Sequence, residues 1–272
     1  MTYKVIALDL DGTLLTSTKQ ILPESLEALK TAQQNGTKVL IVTGRHHVAI
    51  KPFYQALGLD TPALCCNGTY SYDFQQQKVL QSTPLSLPQT LRTIELLKQH
   101  NVHSLMYTEN AMTYEEPNDN IKRWGVWSSA LPEALRPTLI QVDSFADTAQ
   151  KADSIWKFAA TSSDVAGLKR FSHLIEDELG LTCEFSWHDQ MDIAQTGNSK
   201  GNLLKKWVEQ QGLTMKEVIA FGDNFNDVSM LEMAGLGVAM ANSADDIKAR
   251  ADLVTTTNEE TGIANTIRQY VL

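Results

Sequence analysis

Two aspartates separated by one leucine stand at the end of an apolar run in KVIALDLDGTLLT, residues 4–16. Like charges this close repel, so Asp9 and Asp11 need a compensating positive group. Three other segments put polar groups after an apolar run or at a helix start. Thr43-Gly44-Arg45 follow VLIV, Asn198-Ser199-Lys200 open a helical stretch, and Asp223 and Asp227 follow VIAF. Singly, each has an ordinary reading. An aspartate at a strand end is often a turn residue, and Thr43-Gly44 fits any strand-to-helix turn. A lone lysine on a helix is usually solvated, and Asp223 with Asp227 fits helix capping. Together they say more. Three carboxylates near adjoining strand ends require a hard cation, and Mg²⁺ suits oxygen ligands that it shares with a substrate phosphate. The Thr43 hydroxyl, the open backbone at Gly44 and the compact charge of Lys200 suit a phosphate dianion. The chemistry indicated is phosphoryl transfer.

Such residues need a frame that gathers strand ends. Residues 4–9 read as a buried strand. LPESLEALKTAQQNG carries helix punctuation in Pro23 and Gly36, TKVLIVTG is a second strand, and ALCC, ending at Asn67-Gly68, a third. The C-terminal part repeats the rhythm, with a helix in NSKGNLLKKWVEQQG, a strand in EVIAFGD, a helix in NDVSMLEMAG, a strand in LGVAM and a short helix opened by Ser243. Alternating strands and helices predict an α/β fold: a Rossmann-like parallel-sheet core with helices on both faces, and ligands collected beyond the carboxyl ends of the strands. From about 84 to 190 the pattern is less regular and holds Trp124, Trp127, Trp156 and Trp187. This stretch reads as an inserted α+β cap, leaving 1–83 and 191–272 as a discontinuous core.

DLDGTLL, VTGR, NSKG and FGDNFND resemble, in order and spacing, the four signatures of the haloacid-dehalogenase-like phosphohydrolases. The long insertion after the second signature is similar to the Cof-type branch, which carries a large α/β cap. The resemblance covers the whole chain. It implies that Asp9 is the nucleophile and a Mg²⁺ ligand, and that Asp11 is the general acid–base, reaching the metal through its backbone carbonyl. It makes Leu10, Thr43, Gly44, Lys200 and Asn226 phosphate-binding residues, Asp223 the third metal ligand, and Asp227 a support for Lys200 or a metal-bound water. The spacing alone does not tell which of Asp9 and Asp11 attacks. VTGRHHVAIKPFYQALGLDTPALCCNGTY is similar to members of the branch that hydrolyse pyridoxal 5'-phosphate. A broad sugar-phosphate phosphatase, a phosphomutase and a non-catalytic sensor of phosphorylated metabolites are the alternatives.

The remaining features narrow the class. The 272 residues are 43% hydrophobic and 20% charged, with a net charge of −9. That balance argues against non-specific binding to nucleic acid or an anionic membrane, and leaves a small phosphorylated metabolite as the partner. No apolar stretch approaches a membrane span, and the chain opens without a secretory pattern, so a cytoplasmic location is expected. Cys65, Cys66 and Cys183 lack a CxxC spacing and read as free thiols. His46 and His47 read as the start of a helix, His100 and His103 as surface residues of the cap, and the cap tryptophans as core. Asn67 and Gly68 fit a leaving-group contact and a simple turn equally well. Nothing in the sequence speaks to oligomeric state.

Overall fold

The computed structural model describes residues 3–272, with Asn120 and Arg123 as backbone only. The chain divides into two compact units. The first comprises residues up to Gly44, Phe53–Gln81 and Ser199–Leu272. Its main sheet has five strands, in the spatial order Leu253–Val254, Leu236–Ala239, Val218–Gly222, Val5–Leu8 and Lys38–Ile41. Every pairing is parallel. Parallel strands joined by helical crossovers are covered on both faces, which is why they read as unbroken apolar runs. Val5, Ala7, Leu40, Val218 and Ala220 pack with Leu203, Leu204, Trp207 and Val208 of the helix Lys200–Gln210 and with Met230 and Leu231 of Val228–Met233. The helix Pro23–Gln34 packs on the strand Lys38–Ile41 and on the helix Gly262–Tyr270.

One expected strand has a different neighbour. Ala63–Cys65 pairs antiparallel with Tyr70–Asp73 in a three-stranded sheet completed by Lys78–Ser82. It meets the parallel sheet only through the isolated bridge Val42–Leu64. The chain reverses at Cys66 and Asn67, both left-handed with φ of 51° and 53°, so the strand becomes one arm of a hairpin. The helix expected to open at Ser243 spans Asp245–Lys248 and follows Ala244 without a side-chain cap.

The second unit comprises Arg45–Pro52 and Ser82–Asn198. It exceeds the expected insertion because Gln190–Gln195 pairs antiparallel with both Ile155–Thr161 and Leu181–Trp187. Its sheet has six strands, ordered Leu181–Trp187, Gln190–Gln195, Ile155–Thr161, His103–Thr108, Met112–Tyr114 and Leu139–Gln141. Met106, Phe158, Ala160, Met191 and Ile193 form a core with the helices Leu87–Gln99, Phe145–Lys151 and Val165–Leu179. Strand alternation turns Tyr107, Lys157 and Asp192 to the opposite face. There Lys157 Nζ donates to Asp192 at 2.6 Å and lies 4.8 Å from the Tyr107 ring centre, with lysine and aspartate both buried. His46 and His47 are buried too, as structural residues at the 3-10 turn His47–Ala49. The Val48 N–H donates to His46 Nδ1 at 3.2 Å, so Nε2 carries the proton and donates to the Thr108 carbonyl at 2.8 Å.

Two stability predictions follow from these contacts. Lys157→Met alone strands a buried carboxylate without its lysine and is expected to cost roughly 3–5 kcal/mol in urea denaturation. The double change Lys157→Met/Asp192→Leu is expected to recover most of that loss. Burial lowers the His46 pKa from 6.5 to about 4, against the pull of Thr108 and with Lys157 adding to the fall. A depressed histidine contributes stability that is complete above pH 6.5 and fades as the pH falls through 4, about 3 kcal/mol in all. Denaturation midpoints of His46→Gln are therefore expected to change less than wild type between pH 7 and pH 4.

Candidate active site

In-register parallel pairing aligns the strand ends of the first unit. Leu8 pairs with Phe221 on one side and Ile41 on the other. The next residues keep that register: the Asp9 N–H donates to the Phe221 carbonyl at 3.1 Å, and the Val42 N–H to the Leu8 carbonyl at 2.8 Å. Asp9, Thr43 and Asp223 thus leave the same edge of the sheet, where the backbone stops pairing and side chains can converge.

Lys200 closes this edge from the first turn of its helix, which Ser199 caps by accepting the Asn202 N–H at 3.1 Å. Its ammonium group donates to Asp9 Oδ1 and to Asp227 Oδ1, each at 2.6 Å, and the lysine is 1% exposed. Asp227 is fully committed. Its second oxygen accepts the backbone N–H groups of Asp223 at 2.9 Å and Asn224 at 3.0 Å. Asp227 therefore fixes both the lysine and the loop that carries Asp223. Thr13 donates to Asp223 Oδ1 at 2.7 Å. Asp11 is half-buried and accepts from Lys19 Nζ at 2.6 Å, while its charge adds to the rise in the Asp223 pKa.

Carboxylate oxygens of Asp9, Asp223 and Asp227 lie within 4.8 Å of one another. Burial drives the pKa of Asp9 well up; Lys200 opposes the rise, while Asp227 and Asp223 add to it. Burial likewise raises Asp223 to about 7, with Asp227 adding and the Thr13 hydrogen bond opposing. For Lys200, burial disfavours the charge, but Asp227 and Asp9 outweigh it and hold the pKa above the ordinary lysine value. One lysine leaves this cluster short of positive charge, and closely set oxygens with that deficit fit a divalent cation. Asp9 and Asp223 are the carboxylates suited to hold it, since Asp227 spends both oxygens on the protein.

The other expected residues lie at this edge or on the loops beside it. Thr43 is buried, and its carbonyl accepts the Asn67 N–H at 3.1 Å. Asn226 Nδ2 donates to Asn67 Oδ1 at 3.1 Å, and a side chain at Gly44 would press on that same oxygen from 2.8 Å. Asn67 is thus drawn into the cluster that also holds Gly44 and Asn226. The Leu10 side chain is buried in the core, which leaves the backbone N–H as the group it can offer a phosphate. Sequence reasoning missed Thr13, whose only local signal is a hydroxyl two residues after Asp11. It also missed Asn242, whose Nδ2 donates to the Gly12 carbonyl at 2.9 Å across 230 residues.

A sequence model of the haloacid dehalogenase-like hydrolases matches residues 6–267. The chain belongs to that family. It is 55% identical over 272 residues to the pyridoxal phosphate phosphatase YbhA of Escherichia coli strain K12, covering 100% of both chains. It is 31% identical over 290 residues to the phosphatase YwpJ of Bacillus subtilis strain 168, covering 98% of this chain and 100% of the relative. The solved structure of a haloacid dehalogenase-like hydrolase from B. subtilis superposes with a TM-score of 0.86 at 27% identity, covering 98% of this hydrolase and 100% of that chain. No helix among the described residues is long and apolar enough to cross a membrane.

Gly12 tests this site. It has φ of +82°, and a Cβ there would fall on the Asp223 carboxylate. Gly12→Ala is expected to cost roughly 1–2 kcal/mol from the left-handed backbone alone. It should also displace Asp223, lowering hydrolytic activity at least about tenfold for each 1.4 kcal/mol of lost transition-state stabilisation. Thermal denaturation and initial rates measure the two effects separately.

Proposed function

We propose that this hydrolase is a Mg²⁺-dependent phosphatase of small phosphate monoesters, acting through an aspartyl-phosphate, with pyridoxal 5'-phosphate as its substrate. The observation that carries the reaction class is the buried Asp9 carboxylate, paired at 2.6 Å with Lys200 at the convergence of three parallel strand ends. The substrate rests on the full-length 55% identity to a pyridoxal phosphate phosphatase.

The bound cation would be held by Asp9, Asp223 and the Asp11 carbonyl, and would offset the repulsion between substrate phosphate and carboxylates. Asp9 attacks phosphorus with its oxygen, splitting one difficult displacement into two easier ones. Lys200 holds the Asp9 carboxylate in place and neutralises charge on the transferring group. The Thr43 hydroxyl and the backbone N–H groups of Leu10 and Gly44 orient the phosphoryl oxygens, and Asn226 contributes an amide to the same task. Asp11 gives its proton to the leaving alcohol oxygen as the ester bond breaks. It then takes a proton from the water that cleaves the aspartyl-phosphate, which releases phosphate and restores Asp9. Asp227 fixes Lys200 and the Asp223 loop throughout. The second unit, inserted between the second and third signatures, is the cap that selects the leaving group. A reducing cytoplasm suits the three free cysteines.

Rates with pyridoxal 5'-phosphate, hexose phosphates and p-nitrophenyl phosphate, compared as kcat/KM, test the assignment. Pyridoxal 5'-phosphate is expected to rank first, and a preference for hexose phosphates would refute the vitamin substrate. Asp9→Asn is nearly isosteric and is expected to keep the fold while losing at least about 10³-fold in kcat. EDTA is expected to abolish turnover and Mg²⁺ to restore it. Equal rates for wild type and Asp9→Asn would exclude the covalent route.

A further inference from the structure

Asn226 enters the proposed reaction as a donor, yet a side-chain amide has two ends of nearly equal size and opposite chemistry. Nδ2 carries two hydrogens to give, whereas Oδ1 can only accept. A phosphoryl oxygen is stabilised by the first and repelled by the second, so something must decide which end Asn226 presents. The backbone does not decide it. Asn226 lies in the 3-10 turn Phe225–Asp227, and rotation about the last side-chain bond exchanges the two ends without moving that turn. Its own oxygen does not decide it either, because Oδ1 is buried and accepts no hydrogen bond among the described residues. What holds the amide is the bond from Nδ2 to Asn67 Oδ1 at 3.1 Å. Turning the amide over would set two acceptor oxygens face to face with no proton between them.

Asn67 is itself firmly placed. It is the buried central residue of the turn Cys66–Gly68, with φ of 53° and ψ of 37°. Asparagine adopts that left-handed conformation more readily than most residues. Its N–H donates to the Thr43 carbonyl at 3.1 Å, and its Oδ1 lies against Gly44, where an added Cβ would come within 2.8 Å. The next residue, Gly68, has φ of +87°, and a Cβ on it would fall on the carbonyl of Ser199, beside Lys200. One hairpin turn therefore touches the loops of the second, third and fourth signatures, and all of these residues belong to the first unit. Asn67 stands in none of the four signatures.

We propose that Asn67 is a positioning residue for phosphoryl transfer. It accepts one Nδ2 hydrogen of Asn226, holds that amide with its donor end forward, and leaves the second hydrogen for a phosphoryl oxygen. The inference rests on the phosphatase reading above and adds a residue outside the four signatures. Asn67 acts through Asn226, so its side chain matters only while Asn226 is present.

The test uses the full-length enzyme with Mg²⁺ and p-nitrophenyl phosphate, in wild type, Asn67→Gly, Asn226→Ala and the double variant. Glycine keeps the left-handed backbone and removes only the amide, and circular dichroism checks folding. Asn67→Gly is expected to lower kcat about tenfold with KM little changed. In the Asn226→Ala background the same change is expected to cost less than about twofold. Losses that multiply, or an unchanged kcat in Asn67→Gly, would overturn the proposal and leave the phosphatase reading intact. A turn that is merely structural lowers the urea midpoint and lets the losses multiply. A second readout needs no turnover: the rise in melting temperature that inorganic phosphate with Mg²⁺ gives the wild type. That rise is expected to shrink in Asn67→Gly and to be the same in Asn226→Ala and the double variant. A wild type that shows this rise yet releases no phosphate from the ester would overturn the phosphatase reading, and the melting shifts would still decide what Asn67 does to Asn226.

Discussion

The structure is organised around a concentration of negative charge that a folded protein ordinarily avoids. Asp9, Asp223 and Asp227 bring carboxylate oxygens within 4.8 Å of one another in a site where Lys200 is 1% exposed. Removing such groups from water is costly, and their mutual repulsion adds to the cost. Lys200 offsets part of it by bonding two of the three carboxylates. Burial first, and then the neighbouring carboxylates, raise the pKa values of Asp9 and Asp223. In the proposed reaction the remaining deficit of positive charge would be met by a cation entering with the phosphate ester, although the chain is acidic overall.

The rest of the first unit keeps those charges where they are. A parallel sheet does this well because its strands end side by side, so three side chains from distant parts of the chain share one edge without a long loop. Asp227 shows how tightly the arrangement is held. One oxygen fixes the lysine and the other fixes two backbone N–H groups of the loop bearing Asp223, so it acts by placing other groups. Thr13 holds Asp223, and Asn242 holds the Gly12 carbonyl of the turn after Asp11. The residue proposed as acid–base is placed differently. Asp11 faces Lys19 in an ion pair at a part-exposed position, outside the dry cluster around Lys200.

Much of the site was legible because its residues interrupt apolar runs. Asp9 after VIAL, Thr43 after VLIV and Asp223 after VIAF are polar groups at the ends of strands that have no other reason to stop there. Lys200 was legible from its signature as a phosphate-binding cation, but its burial was not, since a lysine on a helix is ordinarily solvated and this one is dry. Asn67 stood at even odds between a turn and a contact, and its bond to Asn226 spans 159 residues. The hairpin after Ala63–Cys65 escaped the sequence pattern because a short apolar run looks the same in a parallel sheet and in an antiparallel one. Its direction was decided by two left-handed residues, Cys66 and Asn67.

What the sequence determined by itself was local: which segments form strands and helices, where polar groups cap them, and the chemical types present, because periodicity and turn chemistry act over a few residues. What only the tertiary structure decided was pairing and environment. It set which carboxylates share Lys200, which histidine nitrogen keeps its proton, and that Trp156 is core while Trp187 is exposed. Those outcomes depend on distances between residues far apart in the chain and on the water excluded around them, and neither quantity is written in the order of the amino acids.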